Sequence, residues 1–320
     1  MPQPEGFVLA PGTEFEGCWW MEVPETVTET WYIERIEMVA NEGTHHIILV
    51  EDVPDGGPPA TPLPFDPDDT ACLKNFGVTA FRIVSQDPTY ELVMPDSVGF
   101  KVEPGQVFAF NPHYANNTNK EIYPEIWFNF YGSTTPTPVV SAFDLPGPTN
   151  FTVAPGEIGL SPVRESTNAS GAGRCYYSVT THQHRRGTGM KVWTSEPSGW
   201  NDTNDLMIYN TDWDHPDWLQ PEPRLHLAPG DAWYQQCEWD NGVLNDVNRR
   251  CQLPNEGTGP NQCGVLNEYV CATNADCPAG ETTGLCRDCN LNFGFLAEDE
   301  MCFLLAYYYP AQAGADPCPY

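Results

Sequence analysis

Two histidines one residue apart, His182 and His184 in TTHQHRRGTGM, are the residues of this chain best placed to do chemistry. At positions i and i+2 of a β-strand, side chains share a face, so two imidazoles can meet one ion without distorting the backbone. Further histidines stand in short clusters: His45 and His46 in GTHHIILVED, and His113 in FNPHYAN. Neighbours on a regular strand face opposite ways, so His45 and His46 reach one ion only where the strand twists or bulges. A softer donor, Met301, lies in AEDEMCFLLAYYYP between acidic residues and an apolar run. Thioether together with imidazole is a donor set that suits copper and stabilises Cu(I). Taken singly, each of these residues also reads as a polar strand-end residue or a core methionine.

The elements that must hold these residues are strands. Proline occurs 32 times and throughout the chain, and an interior proline costs a helix about 3 kcal/mol. Pro-Gly recurs in APGT, EPGQ, LPGP, APGE and APGD, where proline pre-sets φ and glycine supplies a type II turn. Between the turns lie short β-branched and aromatic runs: HHIILV, FGVTAFRIV, GQVFAF, EIWFNFYG, CYYSVTTH and MCFLLAYYY. In EIWFNFYG, Ile126, Phe128 and Phe130 alternate with Trp127 and Asn129, as in a half-buried strand. The expectation is an all-β chain of β-sandwich type. Its least strand-like stretch, GSTTPTPVVSAFDLPGPTN, places a domain boundary near residue 138, dividing the chain into 1–137 and 138–320.

A formal charge of -30, from 14 Lys plus Arg against 44 Asp plus Glu, repels phosphate backbones and anionic lipid. Nucleic acid is therefore not an expected partner. No run approaches transmembrane length, so membrane insertion is not expected either. Twelve cysteines mean disulfides in a secreted protein and metal or redox chemistry in a reducing cytosol. The opening MPQPEGFVLAPG lacks the basic and apolar segments of a signal peptide. With this cysteine pattern, we expect a trimmed form of a secreted, periplasmic or cell-surface protein. Six cysteines, Cys251, Cys263, Cys271, Cys277, Cys286 and Cys289, fall in a stretch of about 241–292 poor in large apolar residues. That stretch reads as a disulfide-stapled insertion, with zinc held by four thiolates as the other reading. Asn-x-Ser/Thr triplets begin at Asn116, Asn150, Asn168 and Asn201.

The order of the motifs carries a resemblance. His45-His46, His113-Tyr114, His182-Gln183-His184 and Glu300-Met301-Cys302 resemble, in sequence order, the motifs of the copper type II, ascorbate-dependent monooxygenase family. Dopamine β-monooxygenase and the peptidylglycine α-hydroxylating monooxygenase are its branches. The likeness spans roughly 15–131 and 172–318, leaving out the Cys-rich insertion. It implies two antiparallel, jelly-roll-like β-sandwich domains with a copper site on each, facing across a solvent cleft. By carry-over, His45, His46 and His113 would bind an electron-storing copper. His182, His184 and Met301 would bind the copper that activates O2 beside the substrate, with ascorbate as reductant. The implied disulfides are Cys175–Cys318 and Cys237–Cys302, with Cys18–Cys72 in the first domain and the six insertion cysteines closing among themselves.

The resemblance thins at the substrate. The peptide-hydroxylating branch holds a carboxylate with an arginine, an asparagine and a tyrosine where this chain has Thr180, Phe303 and Leu305. The implied substrate is a small hydrophobic or aromatic molecule with an activated C–H bond, on an apolar pocket floor. Arg185 and Arg186 would attract an anion or form a solvated turn, and His215 and His226 match no ligand position. Trp213, Trp218, Trp233 and Trp239 would line a cleft or pack in the core. The competing functions are a secreted copper-binding or copper-delivery protein without hydroxylase activity, and an interaction module centred on the Cys-rich insertion.

Overall fold

The computed structural model describes residues 7–50, 81–241 and 291–320, with breaks at 12–13, 17–18, 25, 42, 86–88, 117, 137–138, 155–156, 185 and 295–299. Within 242–290 it describes the strands Arg250–Gln252, Leu266–Val270 and Thr282–Gly284, which form one antiparallel sheet. Most of the proposed insertion, and the pairing of its cysteines, lies outside the described residues, as do Cys18 and Cys72.

The chain is all-β, and among the described residues there is no helix. In the N-terminal half, the strand Val107–Ala115 pairs with Thr44–Val50 on one side and with Glu14–Glu16 and Trp19–Glu22 on the other. The facing sheet centres on Trp31–Ala40, which pairs with Thr89–Val93, Val98–Val102 and Ile126–Ser133. Ile36, Met38, Leu49 and Phe110, drawn from both sheets, belong to one buried cluster. On Ile126–Ser133 the expected alternation holds: Ile126 is buried, Phe128 and Phe130 are half-buried, and Trp127 is 52% exposed.

The expected boundary falls on residues 137–138, outside the described residues. Just beyond it, Val139–Val140 still pairs, in parallel, with Val98–Val102 of the N-terminal half. From Ala142 onward the pairing changes over. Ala142–Asp144, Phe303–Pro310, Arg174–His182 and Leu225–Leu227 form one sheet. Ala232–Asp240 joins Gly187–Trp193, Ile158–Leu160 and Arg164–Thr167 in the other, with Leu206–Asn210 at its edge.

The strand Phe303–Pro310 explains its own sequence. Leu305, Tyr307 and Tyr309 face the N-terminal core, while Leu304 and Ala306 face a second core with Trp233 and Trp239. A strand covered on both faces reads as a continuous apolar run rather than an alternating one. A register shift between Tyr176 and Ser178 then pairs Ser178, Thr180 and His182 with Tyr307, Leu305 and Phe303. Directly paired residues share a face, so His182 is turned toward the N-terminal half.

Two disulfides, Cys175–Cys318 and Cys237–Cys302, are formed among the described residues, as the resemblance implied. They are consistent with an oxidising extracellular compartment. No described helix is long and apolar enough to cross a membrane.

Two of the four Asn-x-Ser/Thr triplets are structural. Asn116 donates from Nδ2 to the carbonyls of Leu9 (2.9 Å) and Lys120 (2.7 Å), while its Oδ1 accepts from the Thr118 N–H and hydroxyl. Asn168 repeats this with the carbonyls of Ala172 (3.0 Å) and Leu227 (3.1 Å) and with Ser170. Asn150 and Asn201 are exposed. Asn168→Ala strips donors from buried carbonyls and should cost about 2 kcal/mol in a denaturant titration. An unchanged midpoint would contradict the bonding described.

The turn before Leu206–Asn210 has its own acid sensor. Asp202 accepts from the backbone N–H groups of Ser198 (2.8 Å) and Asn204 (2.9 Å) and from both side chains. These bonds, the Ser198 N–H foremost, hold its carboxyl down to about 2. A folded-state pKa below the unfolded one gives stability that is full above about pH 4 and is lost as pH falls through the folded value. Asp202→Asn should therefore differ from wild type at pH 5 and converge on it near pH 2. Parallel pH profiles would refute this.

Candidate metal centre

On Thr44–Val50 the register against Val107–Ala115 shifts between Thr44, opposite Tyr114, and His46, opposite His113. The backbone irregularity demanded by adjacent histidines thus lies at His45 itself. His45 is in the strand, but its side chain lies outside the described residues. His46 and His113 are 6% and 2% exposed, with ring centroids 4.8 Å apart in an edge-to-face contact.

The second pair is built differently from the expectation. The strand ends at His182, and His184 lies in the connection that follows, where its carbonyl accepts the Gly187 N–H at 2.9 Å. A turn rather than strand alternation therefore brings the rings to 5.1 Å, nearly perpendicular. Gln183 shapes that turn: its Nε2 donates to the Glu238 carbonyl (3.2 Å). Its side chain also lies over Gly187, where a Cβ would approach Gln183 Cβ to 2.7 Å.

The rings of His46 and His182 are 5.8 Å apart at 89°. His113, His46, His182 and His184 therefore form one continuous chain of buried imidazoles spanning both halves. The two expected ligand sets abut at His46 and His182, so the solvent cleft that the resemblance implied between them is not the arrangement here. The cause is packing: Leu305, Tyr307 and Tyr309 join the N-terminal apolar cluster, which draws the His182 strand onto that half.

Met301, 8% exposed, stands two residues before Phe303, the partner of His182, and so at the same end of the sheet as both histidines. Cys302 beside it is bridged to Cys237. Glu300 is fully buried. Its Oε2 accepts from the His184 N–H (2.9 Å) and the Trp239 indole (3.0 Å), and its Oε1 from the Arg186 N–H (2.7 Å). Burial pushes this carboxyl up to about 7, against the pull of those N–H groups and the Arg186 charge.

Among the described residues, no three histidine, cysteine, aspartate or glutamate side chains converge on one point. Each expected set has two described imidazoles; the third donor expected is Met301 in one and His45, whose side chain lies outside the described residues, in the other. The donor chemistry fits copper. The Nδ1 atoms of His46, His113 and His182 are buried, Met301 is buried two residues before the strand partner of His182, and the Glu300 carboxyl group accepts N–H groups.

The fold changes some of the other expectations and leaves others standing. Thr180 and Leu305, expected on an apolar pocket floor, are paired with each other and each 1% exposed, and the Thr180 hydroxyl donates to the Asp217 carbonyl (2.8 Å). Arg186 is 2% exposed and lies close to Glu300, so it is no solvated residue; Arg185 lies outside the described residues. His226 sits opposite Cys175, at the far end of the His182 strand, and His215 is half-exposed near Asp214. Trp233 and Trp239 are core residues, and Trp218 packs between Tyr90 and Tyr307. Sequence reasoning missed the roles of Gln183 and Trp239 and the burial of Glu300; only the position of Glu300 before Met301 hinted at the last.

Neither a scan of protein-family profiles nor a search of curated proteins returns a match for this chain. The resemblance therefore rests on the ordered motifs alone.

Proposed function

We propose that this protein is an ascorbate-dependent two-copper monooxygenase that hydroxylates an activated C–H bond of a small hydrophobic or aromatic substrate. The observation that carries the reading is the chain of four buried imidazoles. Four buried imidazoles in contact make a poor apolar core and gather nitrogen donors of the kind that suit copper. Copper, when bound, supplies one-electron chemistry and activates dioxygen toward C–H bonds.

The protein's part is placement and exclusion. The bulge at His45 and the pairing of His46 with His113 hold the first set. The Glu238 contact of Gln183, the Gly187 turn and the Cys237–Cys302 bridge hold the second. Burial of the four histidines keeps bulk water from them, so oxidising chemistry supplied there would reach substrate rather than solvent. Secretion, with ascorbate as reductant, belongs to the same proposal.

The burial of Thr180 and Leu305 favours a second reading, a copper-binding or copper-delivery protein, since it fills the floor on which a substrate would lie. Oxygen uptake decides between them. A hydroxylase consumes O2 with ascorbate in proportion to an added phenyl-bearing amine or alkylbenzene, with the alcohol as product. Copper retention without substrate-dependent uptake across such a panel would favour delivery.

A further inference from the structure

We propose that Glu300 is the positioning residue of the second ligand set, an inference that rests on the copper reading. Its two carboxylate oxygens take N–H groups from three directions: His184 and Arg186, which bracket the turn after His182, and the Trp239 indole on Ala232–Asp240. Its own backbone is held as well, donating to the Asn292 carbonyl at 2.9 Å and accepting from the Gly294 N–H at 3.3 Å. The next residue in the chain is Met301, and the one after it is fixed to Cys237 by a disulfide. The thioether is thus strung between a carboxylate clamp and a covalent bridge. The clamp grips the backbone of the very turn that carries His184. One side chain sets where imidazole and sulfur stand relative to each other.

The chemistry of the donors makes the carboxylate necessary. All three partners are N–H groups, and both oxygens of the Glu300 carboxyl group stand as acceptors to them. An amide in its place turns an NH2 group toward at least one N–H. Either flip leaves buried donors facing each other. Partners that orient metal ligands in this way are worth about 10- to 100-fold in metal affinity.

The test compares copper content and the Cu(II) electron paramagnetic resonance spectrum of wild type, Glu300→Gln and His182→Ala after loading and desalting. We expect wild type to hold two coppers and Glu300→Gln to hold the second about 10- to 100-fold more weakly. The signal remaining in Glu300→Gln should match that of His182→Ala, with its far-ultraviolet circular dichroism unchanged. Two coppers with a wild-type spectrum in Glu300→Gln overturn the inference and leave the copper reading standing. A wild type without copper overturns both. Should Glu300→Gln not fold, Trp239→Phe decides: it removes one of the three donors. A spectral shift confined to the His182 set supports the clamp, and wild-type spectrum and affinity at both sets overturn it.

Discussion

Replacing His182 with alanine removes one copper of two and lowers ascorbate-driven oxygen uptake by more than about a hundredfold. That figure is a lower bound, because loss of an outer partner alone costs about 10- to 100-fold, and His182 is proposed as a ligand. His182 also stands at the junction of the imidazole chain, touching His46 on one side and His184 on the other. Its loss therefore separates the two sets as well as opening one of them. The strand that carries it is paired along Phe303–Pro310 and bridged at Cys175, so the fold should persist. Met301→Ala should lose the same copper without breaking the chain of rings. Oxygen uptake in His182→Ala within a fewfold of wild type would contradict the assignment.

The second large effect is structural. Gly147→Ala should destabilise the protein by about 3 kcal/mol, the upper range for inserting volume into a packed site. A Cβ at position 147 would overlap the Phe303 ring and stand 2.5 Å from the Cys302 carbonyl oxygen. Neither side can retreat freely. Gln235 Nε2 donates to both the Pro146 and Cys302 carbonyls at 2.9 Å, and the Leu304 N–H donates to Pro146 at 2.9 Å. Relief must come from moving the start of the Phe303 strand, which carries Met301 just ahead of it. The variant should thus lose both denaturation midpoint and copper affinity at the second set. Wild-type values of both would show that this contact yields without cost.

Local patterns made the strands legible. Ile126, Phe128 and Phe130 announced one half-buried strand, and the strand has at His45 the bulge that His45 and His46 would need to reach a single ion. The reach of His182 to His46 was not legible, because it arises from packing between the two halves, which no residue period encodes. MCFLLAYYY shows that a strand is buried but not that one of its faces meets the N-terminal core through Leu305, Tyr307 and Tyr309. For the same reason Thr180 and Leu305 suggested the apolar floor of a pocket and turned out to be covered. Glu300 was hidden by its company: in AEDEMCF a glutamate beside other acids looks solvated, and only the fold brings three N–H donors onto it.

The most direct test of the two-copper account is to load the intact protein with Cu(II), desalt it exhaustively, and measure copper per chain with its electron paramagnetic resonance spectrum. The account predicts two tightly held coppers whose signals are broadened by each other, since ligand rings of the two sets lie 5.8 Å apart. One copper, or none, after loading would contradict it.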